Sequence, residues 1–142
     1  MTVTKKLQIL LADGSIESGT VTATGGNPCR LSYIGTELRE LEFTSVDHWA
    51  SLREMRLYLE SQGARALCNG ARTDVHPSGL TRSMFGGLRA YVTRMSADVS
   101  REDLVDIFDY APPELVGTVQ QQEDFHLEWF RGSVPDFRKD KN

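Results

Sequence analysis

The fold of the N-terminal part is decided by the stretch LQILLADGSIESGTVTAT, residues 7–24. Apolar and polar side chains alternate on both sides of Asp13-Gly14, which is typical of two half-buried strands joined by a turn. An Asp-Gly pair favours the positive φ angles of a tight primed turn. The stretch therefore predicts a β-hairpin, and the residues that follow predict two further strands. We expect a four-stranded antiparallel meander over residues 1–44.

A helical pattern follows the meander. Between Ser45 and Gln62 the apolar side chains recur at steps of three and four residues, which is the spacing of one helix face. Ser45 is the expected N-cap, and Gly63 stands where a left-handed C-cap is needed. This segment predicts the first helix, with its apolar stripe packed on the sheet.

The rest of the chain mixes irregular and regular segments. Its glycines and a proline predict an ordered irregular loop over residues 64–87, with strands at 88–95 and 104–110. Thr118 and Gln121 have the spacing of a capping box and predict the start of a last helix. Five side chains are expected in the shared core: Trp49, Leu52, Leu59, Phe125 and Trp129.

Length and composition limit the class of protein. The chain has 142 residues, 39% of them hydrophobic and 25% charged, with a formal net charge of -4, which fits one domain that folds in water. We expect a single α+β domain, in which an antiparallel sheet of about six strands carries two helices on one face. Residues 45–134 complete the fold and residues 135–142 form a frayed tail. With no apolar run of membrane-spanning length and no signal-peptide pattern, the sequence predicts a cytoplasmic protein.

Cysteine and histidine spacing gives little indication of catalysis. Cys29 and Cys68 lie far apart and lack a metal-ligand spacing, so we expect reduced thiols and no metal or cofactor. One enzyme hypothesis takes Cys68 as nucleophile and His76 as base, which requires a hydrogen bond between them and a lowered thiol pKa. The alternative is a buried cysteine and a loop histidine.

The loop from Cys68 to Arg82 is also a candidate site for a small anion or nucleotide. Guanidinium groups and exposed backbone amides bind phosphate and carboxylate groups well. The alternative is that Arg72 and Asp74 only staple the loop by hydrogen bonds to its own backbone. The candidate residues of this loop are Arg72, Asp74, His76, Ser78 and Arg82.

Acidic side chains suggest a surface for a basic protein. If they share a face, their charge would steer such a partner and speed its association. The alternative is ordinary solvated surface charge. The candidate partner-binding residues are Glu40, Glu42, Asp106, Asp109, Glu123 and Glu128.

Several segments resemble a group of small bacterial proteins. They are LREMRLYLESQG (52–63), LCNGARTDVHPSGL (67–80), LVDIF (104–108) and QEDFHLEW (122–129), together with Met84 and Ala90-Tyr91. The chain resembles, over roughly residues 45–133, immunity proteins of polymorphic toxins of the Rhs or contact-dependent kind. The resemblance implies a cytoplasmic inhibitor that occludes the active site of a cognate, basic toxin domain. No catalytic residue is carried over from the resemblance, and the oligomeric state stays open. The net charge of -4 disfavours direct contact with nucleic acid or with an anionic membrane.

Overall fold

Four successive antiparallel strands begin the structure, a computed structural model that describes residues 1–133. They are β1 (Thr2–Leu10), β2 (Ile16–Thr24), β3 (Cys29–Ile34) and β4 (Glu40–Ser45). A short fifth strand, β5 (Arg65–Ala66), pairs with β1, so the strand order of this sheet is β4-β3-β2-β1-β5. In β2 the buried Val21 and Ala23 alternate with more exposed residues, because successive side chains of a strand point to opposite faces.

The turn between β1 and β2 is longer than the tight turn that Asp13-Gly14 predicted. Five residues separate the strands, and Leu11 N–H donates to the Ser15 carbonyl at 2.8 Å. Gly14 has a φ of +88°, as the turn requires. Asp13 instead serves as an acceptor, since its Oδ1 receives hydrogen bonds from the Ser15 amide at 2.9 Å and hydroxyl at 2.6 Å.

The first helix, α1 (His48–Ser61), begins later than predicted. Its N-cap is Asp47, whose Oδ1 accepts a hydrogen bond from the Ala50 amide at 2.8 Å. Ser45 does not cap the helix because it is the last residue of β4 and pairs with Cys29 of β3. The strand thus continues into the segment where the apolar spacing suggested helix.

The C-terminus of α1 follows the prediction. Gly63 has a φ of +72°, and its N–H donates to the Glu60 carbonyl at 3.0 Å, while Ala64 N–H donates to the Leu59 carbonyl at 2.8 Å. This is a Schellman motif, in which the left-handed residue is usually glycine. The helix packs on the five-stranded sheet, and three of the predicted core residues are buried there: Trp49, Leu52 and Leu59.

The second half of the chain adds a smaller sheet and two more helices. The elements are β6 (Val75–His76), α2 (Gly79–Phe85), β7 (Arg89–Val92), β8 (Leu104–Asp106) and α3 (Val119–Ser133). The three strands form an antiparallel sheet in the order β6-β7-β8. The predicted α+β class is therefore confirmed, with the strands divided between two sheets. Within residues 1–133, no helix combines the length and the apolar character needed to cross a membrane.

Two segments differ from the prediction in this half. Helix α2 lies inside the predicted irregular loop, where a capping box between Ser78 and Thr81 begins it and Gly86, with a φ of +60°, ends it. The strand expected at 104–110 stops at Asp106. The predicted tail, residues 135–142, lies outside the described residues.

The predicted core is wrong for the two aromatic residues of α3. Phe125 and Trp129 are only partly buried, whereas Trp49, Leu52 and Leu59 of α1 are buried. The reason is that α3 packs at the edge of the molecule, against α1 and the short strand β6. Trp129 instead reaches the loop before β8, where its Nε1–H donates to the Ala97 carbonyl at 3.0 Å.

A buried polar network joins α1 to α3. The side chain of Arg56 on α1 is 4% exposed. Its Nη1 donates to the Gly70 carbonyl at 3.1 Å and to Gln122 Oε1 at 2.6 Å, and its Nη2 donates to the Gly117 carbonyl at 3.2 Å. Gln122 Nε2 in turn donates to the Gly70 carbonyl at 2.9 Å and the Arg72 carbonyl at 2.8 Å. The network therefore fixes α3 against the middle of the chain.

We predict that Arg56→Leu lowers the free energy of unfolding by about 3 kcal/mol, because it leaves the Gly117 carbonyl buried without its donor. The matched control is Arg53→Leu, one turn earlier on α1, where an exposed ion pair with Glu123 at 3.4 Å is lost. The control should lower the free energy of unfolding by less than about 1 kcal/mol. Urea unfolding measures both values, and equal losses in the two variants would contradict a special role for the buried guanidinium.

Candidate functional site

The structure does not bring Cys68 and His76 together as a catalytic pair. Cys68 is fully buried in the core, and burial raises the pKa of its thiol to about 11. In the part of the chain that the structure describes, no hydrogen bond joins its Sγ to His76. A buried, protonated thiol is a poor nucleophile. Both cysteines are free.

The arginines of the mid-chain loop are held by carboxylates. Arg72 donates from Nε and Nη2 to the two oxygens of Asp74, each at 2.8 Å. Arg82 donates in the same two-pronged way to Asp47, the N-cap of α1, at 2.6 and 3.1 Å. Ser78 is occupied as the N-cap of α2. The two arginines are therefore paired with carboxylates rather than open to an anion. The predicted staple of Arg72 and Asp74 onto the loop backbone takes a different form, since the two side chains pair with each other.

The six acidic candidates do not lie on one element. They are Glu40 and Glu42 on β4, Asp106 and Asp109 at and after the end of β8, and Glu123 and Glu128 on α3. Four of the six form surface ion pairs: Asp106 and Asp109 with Lys5 at 3.3 and 3.0 Å, Glu42 with Arg30 at 3.0 Å, and Glu123 with Arg53 at 3.4 Å. The candidates are thus three separate pairs, and each has its own surroundings.

A cavity beside β6 is lined mainly by aromatic rings. It has a volume of about 350 Å³, which lies within the range of small-molecule pockets. Five rings form much of its wall: His76, Tyr91, His126, Trp129 and Phe130. The remaining lining residues are Pro77, Ser78, Gly79, Thr93 and Val99, so no lysine or arginine is among them. We call this space the aromatic cavity.

Two stacked imidazoles connect the walls of the aromatic cavity. The rings of His76 on β6 and His126 on α3 lie 3.5 Å apart, centre to centre, with an angle of 5° between their planes. His76 also contacts Trp49 edge-on, and its Nδ1 lies 2.9 Å from the Pro77 carbonyl. Since a carbonyl only accepts, this Nδ1 carries the proton.

Burial keeps both imidazoles neutral at neutral pH. It lowers the pKa of His76 to about 4, with a further contribution from the neighbouring His126. Burial also lowers the pKa of His126, and the nearby carboxylate of Glu123 opposes this shift. The Nδ1 of His126 is buried and has no hydrogen-bond partner among residues 1–133. Two uncharged rings therefore face each other. If both imidazoles were protonated, their positive charges would repel each other.

Sequence reasoning found His76 and Ser78 in this region but missed the rest of the aromatic cavity. His126 follows His76 by 50 residues, and no spacing rule connects residues that meet only through tertiary packing. Trp129 was assigned to the core because an aromatic residue on an apolar helix face is usually buried. One usable signal was present, since His126, Trp129 and Phe130 share one face of α3 at steps of three and four residues.

The sequence matches no protein-family model, and no curated protein is significantly similar to it. Among residues 1–133, no group of three or more His, Cys, Asp and Glu side chains is placed to hold a metal ion.

We predict that Cys68 stays unmodified when the native protein is treated with N-ethylmaleimide at pH 7.5. Burial excludes the reagent, and the raised thiol pKa leaves almost no thiolate. Peptide mass spectrometry should find the adduct on Cys68 only after a denaturant is added. Rapid labelling of the native protein would contradict this prediction and would support the thiol hypothesis.

We predict that the free energy of unfolding falls as the pH is lowered from 6.5 to 4.5. Unfolded histidine binds a proton near pH 6.5, whereas folded His76 does so only at about pH 4. The unfolded state therefore gains protons first and becomes more favourable over this range. Urea unfolding at the two pH values should show a smaller fall for His76→Phe than for the unmodified protein. The same fall in both would show that His76 does not contribute to it.

Proposed function

We propose that the protein is a cytoplasmic immunity protein that binds a cognate bacterial toxin domain and occludes its active site. The observation that carries this proposal is a contrast within one region of the molecule. The reactive side chains of the mid-chain loop are buried or paired, while uncharged rings line the aromatic cavity beside them. Such a region is suited to binding another molecule rather than to making bonds.

The geometry supports the alternative of a small-anion or nucleotide site less well. Arg72 and Arg82 each face a carboxylate in two-pronged contact, and an anion would have to displace that carboxylate. Within residues 1–133, no lysine or arginine lines the aromatic cavity. The Cys68 thiol is buried and protonated, which also weakens the enzyme alternative.

Helix α3 supports a protein interface next to the aromatic cavity. Its acidic residues Glu123, Asp124 and Glu128 are exposed, and Leu127 between them is 48% exposed. Interfaces commonly combine apolar anchors with a polar rim. An acidic surface of this kind attracts a basic toxin domain and speeds the encounter. Of the three acidic pairs, we therefore assign the partner contact to Glu123 and Glu128 on α3.

We predict that the product of the upstream neighbouring gene is toxic when expressed alone, and that co-expression with this protein restores growth and yields a stable complex of the two chains. Glu123→Lys with Glu128→Lys should weaken the complex at least about tenfold, because it reverses the charge that faces the basic partner. Binding is measured by calorimetry and protection by growth.

The matched control is Glu40→Lys with Glu42→Lys on β4. On α3, Glu123 pairs with Arg53 at the surface, and on β4, Glu42 pairs with Arg30. Each double variant therefore breaks one surface ion pair, and the two disturb the fold to a similar extent. The control should keep its affinity within about threefold. Absence of both a complex and growth protection contradicts the proposed function, and equal losses in the two variants contradict the assignment to α3.

A further inference from the structure

We propose that the aromatic cavity receives an arginine side chain of the bound protein partner. The inference rests on the proposed function and names the group that the site recognises. Three properties of the aromatic cavity carry it: the rings that line it, the sign of the charge around it, and the acceptor nitrogen of the His76 imidazole.

The ring faces favour a cation. Tryptophan and tyrosine rings present negative faces, and a guanidinium within about 6 Å of such a ring is attracted to it. Trp129 and Tyr91 are among the rings that line the aromatic cavity, and Trp129 also stacks on His126 with the ring centres 5.8 Å apart. The stacked imidazoles of His76 and His126 are neutral and so do not oppose a positive charge.

The charges around the aromatic cavity also favour a cation. Glu123 lies close enough to both imidazoles to raise their pKa against the effect of burial. The nearby cations are compensated, since Arg82 is paired with Asp47 and the guanidinium of Arg94, next to the lining residue Thr93, donates to Asp103 at 2.8 Å. An entering cation thus meets little opposing charge, whereas an anion would find no lysine or arginine among the described residues of the lining.

Hydrogen bonding favours arginine over lysine. Because Nδ1 of His76 carries the proton, Nε2 of the same ring is an acceptor. A planar guanidinium can stack on a ring and still donate N–H groups in its own plane, whereas an ammonium cannot stack. The aromatic cavity therefore best fits a planar, positively charged group that donates hydrogen bonds.

The test uses small probes on the isolated protein at pH 7.5. N-acetyl-arginine-N-methylamide is titrated while the indole N–H signal of Trp129 is followed by NMR, with the citrulline counterpart as the uncharged probe of nearly equal shape. We expect saturable binding of the arginine probe in the millimolar range and at least about fivefold weaker binding of the citrulline probe, because a cation-ring contact is lost. The lysine probe should fall between them.

Two variants keep the test specific. Tyr91→Ala should abolish the shift, because it removes one ring of the aromatic cavity, and Tyr110→Ala should leave it unchanged, because Tyr110 is an exposed tyrosine outside the lining. Glu123→Gln should weaken the binding of the arginine probe and leave the binding of the citrulline probe unchanged. Glu123 is exposed, so this variant alters no buried group. This variant decides the question even if Tyr91→Ala does not fold.

Three outcomes would overturn the inference. They are equal binding of the arginine and citrulline probes, tighter binding of N-acetyl-phenylalanine-N-methylamide, and no shift with any probe. The proposed function is judged separately. If the toxin complex forms but the arginine probe does not bind, the inference fails and the function stands. If the probe binds and no complex forms, the function fails and the aromatic cavity remains an arginine site.

Discussion

The guanidinium of Arg56 is the constraint on which the rest of the structure depends. A charged group that is 4% exposed must find hydrogen-bond partners inside the protein, since the cost of burying it alone would exceed the stability of a small domain. It finds two backbone carbonyls and the side chain of Gln122. Those partners come from three separate segments, so forming the network requires the mid-chain loop and α3 to take their places against α1.

The parts of the fold that could be predicted are those specified by neighbouring residues. The N-terminal strands follow from alternation, and Gly63 ends α1 because its left-handed conformation disfavours other residues. The capping box at Thr118 is also local: the Gln121 amide donates to Thr118 Oγ1 at 3.0 Å, and Gln121 Oε1 accepts from the Thr118 amide at 2.8 Å. In each case the residues that form the sequence pattern are also the residues that form the structural feature, or lie within a few positions of it.

The candidate site could not be predicted in the same way, because its contacts join distant segments. Asp47 illustrates this: its carboxylate caps α1 and also holds Arg82, which follows it by 35 residues. An arginine in a loop suggests an anion site until the carboxylate beside it is known. The stacking of His76 on His126 has the same origin, since it depends on where α3 packs. A sequence pattern identifies residue types that can bind a ligand or partner. Tertiary packing determines which of these side chains are already paired inside the protein.

The buried network and the aromatic cavity are connected through the geometry of one helix. Gln122, His126 and Trp129 are four and three residues apart, so they lie on the same side of α3. When Arg56 fixes Gln122, it also sets the rotation of α3 and directs the imidazole of His126 toward His76. Trp129, one turn further on, is then placed to reach the Ala97 carbonyl and close the aromatic cavity. The same interaction that stabilises the fold therefore positions the rings to which we assign binding.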